Sequence, residues 1–409
     1  MKRKILLRLS LPAVAVLLAP LAAAPAFAAA PAAPTITQVG TTAVIGQTTK
    51  FKFTEADGSE PAEYHWMING GELTGTAIAT DGKATAKILS TRAFNQLQVY
   101  AVGADGSVGD DANVLYAASD PAAYADQDLD GDGRPDLAAV VGETLLEADG
   151  KGTGGKVRVP AIDLAPDGNG VGGTFAGLQL ITGKFRGGPF EDYFAYRPSD
   201  GYAFIYDGLG EADQNNPGLV AKHEHTVSGG MFSDWDGNNP TQLVNAYDAA
   251  GAHQSIPDLL GVLGNAESGY HLEYYVSFGW GTGFYQSPVD TTASTPDGGS
   301  DWENWQLATK LLPSGTAVSL WNPSTGALYL WEGVTFDSES GRLSYTQYKL
   351  SANFLTGANG TTLRLTDFDA DGVADIWGVS AGSVTAYQVS GLSQTGTAKI
   401  KAKAPQPLA

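Results

Sequence analysis

The sequence contains no cysteine. That absence excludes disulfide stapling, thiolate metal sites and cysteine nucleophiles, and leaves stability to a packed core helped by any bound ions. Histidine is scarce, with five in 409 residues, and no HExxH pattern occurs. Basic residues are few as well, 24 Lys and Arg against 44 Asp and Glu. Four of the 24 (Lys2, Arg3, Lys4 and Arg8) precede or enter an apolar run from Leu9 to Leu21, which Pro12 and Pro20 interrupt and which leads to Ala26-Phe27-Ala28. A positive start, a short apolar run and a small-x-small exit read as a secretory signal over 1–28, with the mature chain beginning near Ala29. Twenty basic groups then face 44 acidic ones, a formal charge of −24. Such a surface disfavours nucleic acid and anionic membranes as partners and attracts cations. No later run is long and apolar enough to span a bilayer. The expectation is an exported, extracellular monomer without membrane insertion, with attachment to the cell surface left open.

Helical periodicity is nearly absent too. Fifty-two glycines, frequent aromatics and many short alternating runs make the chain all-β. After an Ala/Pro linker, residues 33–118 form one unit. Phe51 and Phe53 alternate with Lys50 and Lys52, and Leu97, Val99 and Ala101 with Gln96, Gln98 and Tyr100. Half-buried strands of this kind, with Trp66 as core anchor, suit a small antiparallel sandwich. The unit resembles the immunoglobulin-like modules of secreted bacterial proteins.

The segment 120–395 repeats. "AYRPSDGYAFIYDG" and "LWNPSTGALYLWEG" match Gly201 with Gly326 and Tyr206 with Trp331, and Gly269 with Tyr274 and Gly382 with Tyr387 keep the same five-residue step. A glycine turn followed by a strand carrying a core aromatic fits a hairpin. A second mark, an acid leading an apolar strand, falls at Asp136, Asp192, Asp258 and Asp375, with Ala317 in its place in the fourth unit. Each of these five units has room for a four-stranded sheet that cannot bury its faces alone, so radial packing into a β-propeller is expected. Five blades are favoured, with six or seven open. The basic segment 396–409 reads as a tail or linker.

The aspartates carry the functional signal. Asp128-x-Asp130-x-Asp132-Gly133-x-x-Asp136 is repeated as Asp367-x-Asp369-x-Asp371-Gly372-x-x-Asp375. Oxygen ligands at positions 1, 3, 5 and 9, with the backbone carbonyls of Arg134 and Val373 at position 7 and a glycine at 6 for the sharp turn, suit Ca²⁺. An Asx-rich turn is the bland alternative, and it explains the double spacing poorly. Position 12 holds Ala139 or Gly378 and both loops lead into strands, which excludes helix-flanked calcium hands. The pattern resembles the FG-GAP/VCBS family of secreted bacterial propeller proteins, in which an immunoglobulin-like unit can precede the propeller. That resemblance implies calcium loops between blade strands, with these aspartates as ligands. In the second unit Lys184, Arg186 and Gly188 replace the acids, so no calcium is expected there. The third keeps Asp234 and Asp236 far from Asp258, which leaves a third site open.

Catalytic patterns are weak. His223 and His225 are a metal pair or ordinary strand residues. "GVSAG" around Ser380 mimics a nucleophile elbow, but strands flank it and an elbow requires a helix. "GKGTGG" at 150–155 also precedes a strand-like run and reads as a loop with no phosphate role. Trp280, Trp302 and Trp305 either stack on sugar rings or fill the core between blades. The sequence therefore predicts a secreted calcium-binding propeller acting as a binding or scaffold module for a protein or glycan. A lectin is the alternative, and a polysaccharide-degrading enzyme is the alternative of a different class.

Overall fold

The computed structural model describes residues 30–408 apart from 41, 45–46, 71–72, 91–93, 120–125, 165–173, 186–189, 207, 209–223, 228–230, 252–255 and 278–284. The signal segment, Arg186, Gly188, His223, the side chain of His225 and Trp280 lie outside the described residues. The described chain is all-β, interrupted only by the 3-10 turn Trp302–Asn304.

Residues 35–119 form two sheets. One pairs Thr35–Val39, Thr48–Thr54 and Lys83–Leu89, and the other contains Ala43–Val44, Val108–Ser119, Phe94–Val102, Glu63–Ile68 and Leu73–Ile78 in that spatial order. Period-2 alternation sends Phe51, Phe53, Ile88, Leu97 and Val99 into one shared core and leaves Lys50 and Lys52 outside. Tyr64 holds the place expected for Trp66, buried with its hydroxyl donating to the Gly82 carbonyl at 2.6 Å. Trp66 is only half buried and lies over Gly75, where a Cβ would come within 2.4 Å of its ring.

Five larger sheets follow in chain order, with a two-stranded ribbon of Gly150–Lys151 and Lys156–Val157 after the second strand of the first, so that the segment expected as a loop at 150–155 begins in a strand. The first contains Leu137–Val141, Thr144–Ala148 and Ile162–Asp163; the second Gln179–Gly183, Asp192–Arg197, Tyr202–Tyr206 and Glu224–Val227. The third contains Gln242–Tyr247, Asp258–Asn265, Gly269–Tyr275 and Val289–Asp290. The fourth contains Gln306–Leu312, Gly315–Asn322, Ala327–Asp337 and Arg342–Ser351; the fifth Thr362–Thr366, Asp375–Ser380, Ser383–Ser390 and Lys399–Ala402. The acidic repeat marks open the second strand of the second, third and fifth sheets, and Asp136 immediately precedes the first strand of the first. Gly201, Gly269, Gly326 and Gly382 have φ of 74°, 87°, 78° and 74° at or entering the following hairpin strand. Tyr206, Tyr274 and Trp331 are fully buried five residues later.

The segment 396–409 is not a tail. Lys399–Ala402 is the fourth strand of the fifth sheet and Gln406–Pro407 pairs with Ser383–Val384, while Leu408 is buried in the core between the fifth and first sheets. Its lysines obscured the alternation, because only Ile400 marks the inward face of a strand whose other side is solvated.

Packing links the sheets in sequence. One apolar cluster joins residues of the first and second sheets, the next the second and third, then the third and fourth, and then the fourth and fifth. A last cluster joins Phe368, Trp377 and Val384 of the fifth unit to Leu137, Ala139 and Val157 of the first. The chain of contacts therefore returns to its beginning. The leading strands of sheets two to five lie side by side, and side chains tie them together. Gln179 donates to Thr241 O and accepts from Leu243 N–H, and Gln242 bridges Trp305 and Leu307 in the same way.

Candidate metal centres and the central channel

The first aspartate loop is folded by its own carboxylates. Asp128 is buried, with Oδ1 accepting the Gly131 N–H at 2.8 Å and Oδ2 the Gly133 N–H at 3.0 Å. Both glycines have φ of 85°, the left-handed backbone that bends the loop around Asp128. Asp136 accepts from Leu129 N–H at 2.7 Å and from Gly150 N–H at 2.6 Å. Carboxylate oxygens of Asp128, Asp130 and Asp136 lie within 4.8 Å of one another. Asp132 turns outward to the Arg134 guanidinium, 3.2 Å away. Burial, reinforced by the Asp130 charge, pushes the Asp136 carboxyl up to about 7, and burial raises Asp128 as well.

The second loop gathers a different subset. Oxygens of Asp367, Asp369 and Asp371 lie within 4.8 Å of one another. Asp367 accepts from Asp371 N–H at 3.2 Å and Gly372 N–H at 3.1 Å, and Asp371 accepts from Val373 N–H at 2.8 Å. Ala370, at φ 58°, takes the left-handed position that Gly131 holds in the first loop. Asp375 Oδ1 accepts from Val389 N–H at 2.7 Å. Asp375 Oδ2 and Asp369 Oδ1 are buried and have no hydrogen-bond partner. Burial first, then the charges of Asp369, Asp371 and Asp367, push the Asp375 carboxyl up to about 7. Buried carboxylate oxygens need a proton, a donor or a cation. An all-oxygen donor set that includes the orphaned Asp369 atom, in a loop that ends at the orphaned Asp375 atom, fits a hard divalent cation such as Ca²⁺.

The acid that marks each repeat has a role without metal. Asp192 accepts from Gly208 N–H at 3.0 Å, and Asp258 accepts from Ser277 N–H at 2.7 Å and from the Tyr274 hydroxyl at 2.6 Å. With Asp136 and Asp375, four sheets thus use this side chain to hold the backbone leaving the neighbouring strand. Asp234 is committed to its own turn, accepting from Asp236 N–H and Asn238 N–H, so among the described residues Asp234, Asp236 and Asp258 form no metal-ligating group.

Sequence reasoning missed Glu147. It is buried beside the first loop, accepts from the Tyr193 hydroxyl through Oε2 and leaves Oε1 unpartnered. Burial, then the charges of Asp136, Asp149 and Asp130, push it up to about 8. A lone acid in the otherwise apolar strand "TLLEA" was the available signal. Trp302 and Trp305 are each 1% exposed within the core between the third and fourth sheets, which removes them as a sugar-stacking platform. Among the described residues the exposed tryptophan is Trp235, at 97%, on the Asp234 turn.

The leading strands also enclose a channel. At its open end a cavity of about 560 Å³ is lined by Gln306, Asn359, Thr362 and Arg364 among others. A smaller cavity of about 50 Å³ lies further in, bounded by Gln127, Tyr247 and Arg364. Gln127 lines this inner cavity, with Asp126 next to it in the chain. Asp126 pairs with Lys310 at 3.0 Å and accepts from the Tyr247 hydroxyl at 3.1 Å, while Gln127 donates to Leu365 O at 2.7 Å and its N–H to Glu191 at 3.0 Å.

No protein-family model and no curated protein matches the chain. Similar solved structures include an auxiliary nutrient binding protein from Bacteroides thetaiotaomicron, with a TM-score of 0.33 at 10% identity over 88% of this chain and 83% of that one. Another, from Bacteroides ovatus, has a TM-score of 0.28 at 10% identity over 87% and 83%.

Proposed function

We propose that this chain is an exported calcium-binding protein of the FG-GAP/VCBS kind, in which an immunoglobulin-like sandwich precedes a five-bladed β-propeller, and that it acts as an extracellular binding module. The circuit of five apolar clusters supports the propeller and extends it to Leu408. The observation carrying the calcium assignment is the convergence of three aspartates in each of two loops that share one spacing, with a buried unpartnered oxygen on Asp369 of the second trio and another on Asp375, which ends that loop. Calcium would replace the proton or donor those oxygens lack and fix both loops. Its contribution follows mass action, about 1.4 kcal/mol per site at ten times the dissociation constant. Extracellular sites need affinities only on the order of 10⁻⁴ to 10⁻³ M.

The test is thermal unfolding of Asp130→Ala combined with Asp369→Ala. The parent chain should melt at higher temperature in calcium than in chelator, and the double variant should melt alike in both. An unchanged melting curve with an intact chelator response would refute the assignment. Screening neutral and acidic glycans for binding, with reducing-end release as a parallel readout, separates a binding protein from a polysaccharide-degrading enzyme.

A further inference from the structure

Although the protein is acidic, Arg364 has no counter-ion among the described residues. It lies in the fifth sheet's leading strand, and its Nη1 crosses to the second sheet to donate to Leu180 O at 2.8 Å. Of the five N–H donors a guanidinium carries, that is the only one given to an acceptor among the described residues. Nε is buried with no partner. No carboxylate among the described residues forms an ion pair with it, and the buried cation Lys310 by contrast has Asp126 at 3.0 Å. A buried charge left unpaired is costly. Arg364 borders both the inner cavity and the 560 Å³ cavity at the open end, so a ligand entering from the mouth meets it.

We propose that the channel mouth binds a hydroxylated carboxylate of about monosaccharide size, its carboxylate pairing with Arg364. A planar carboxylate matches the guanidinium fork. Gln306, Asn359 and Thr362 bring amides and a hydroxyl to the same cavity, chemistry suited to a polyol body. Glu303 stands exposed at the rim, where solvent screens it. This inference deepens the binding function proposed above and is independent of calcium, whose failure would appear in melting temperature and not in ligand titration.

The experiment is isothermal titration of the full mature chain with glucuronate, glucose and inorganic sulfate, in calcium and in chelator. Glucuronate should bind once per chain, at least tenfold more tightly than glucose or sulfate. Arg364→Gln should weaken it at least tenfold with unchanged circular dichroism. Should that variant fail to fold, Asn359→Trp at the exposed rim obstructs the mouth and should produce the same loss. The proposal is overturned by glucuronate binding that withstands obstruction of the mouth, by glucose or sulfate binding as tightly, or by no binding of glucuronate at millimolar concentration.

Discussion

At the scale of single residues, burial decides what the acids do. Asp136 and Asp375 are pushed up to about 7 and Glu147 to about 8, with desolvation the leading cause in each. A carboxyl whose folded value exceeds its unfolded one binds protons that the unfolded chain has already released. Its contribution to stability is complete below about pH 4 and is lost as pH rises through about 7 to 8. Without calcium, the melting temperature should therefore fall between pH 5 and pH 8. With calcium the fall should be smaller, because the metal takes the place of the protons. Calcium binding at pH 6 should release protons, detectable as a dependence of the binding heat on buffer ionisation enthalpy. The tryptophans divide in the same way. Trp302→Ala empties a core site and should cost about 3–5 kcal/mol in denaturant unfolding. Trp235→Ala, on an exposed turn, should change stability by no more than about 0.5 kcal/mol.

At the scale of elements, strands close the sheets that the repeat marks announce. Lys399–Ala402 and Gln406–Pro407 both pair with Ser383–Ser390. Deleting residues 396–409 removes these partners and uncovers Val384 and Val389, which are fully buried. The deletion should lower the melting temperature by well over 5 °C, read in a thermal scan; a true linker would leave it unchanged. The repeat glycines and aromatics identify the hairpins, and the aspartate spacing identifies the loops. The spacing does not say which acids converge. Asp132 is drawn away by Arg134, whereas Asp371, followed by Val373 at the equivalent position, remains with its cluster.

At the scale of the whole molecule, the apolar core of residues 36–118 is separate from the circuit of clusters between Leu129 and Leu408. Calorimetry should show two unfolding transitions, and calcium should move only the one belonging to the circuit. A single transition displaced as a unit by calcium would mean that the two parts unfold cooperatively.

Alternation with period two determined strands of residues 35–119 on its own, because neighbouring side chains point to opposite faces and one face must leave water, whereas strands such as Asp192–Arg197 and Asp258–Asn265 are buried on both faces. Phe51 and Phe53 against Lys50 and Lys52 are enough to place a strand and its inner side. The Gly-to-aromatic step and the aspartate spacing were legible for the same reason, as local geometry written into consecutive residues. What tertiary structure alone decided involves residues far apart in the chain. Arg364 donates to Leu180, Asp126 pairs with Lys310, and the tryptophans at 302 and 305 are covered by neighbouring sheets. Burial and charge pairing depend on which sheets become neighbours, and no local spacing encodes that. The acids of the two loops are therefore apparent in the sequence, whereas the channel, its unpaired guanidinium and the raised carboxyls arise only when the sheets pack together.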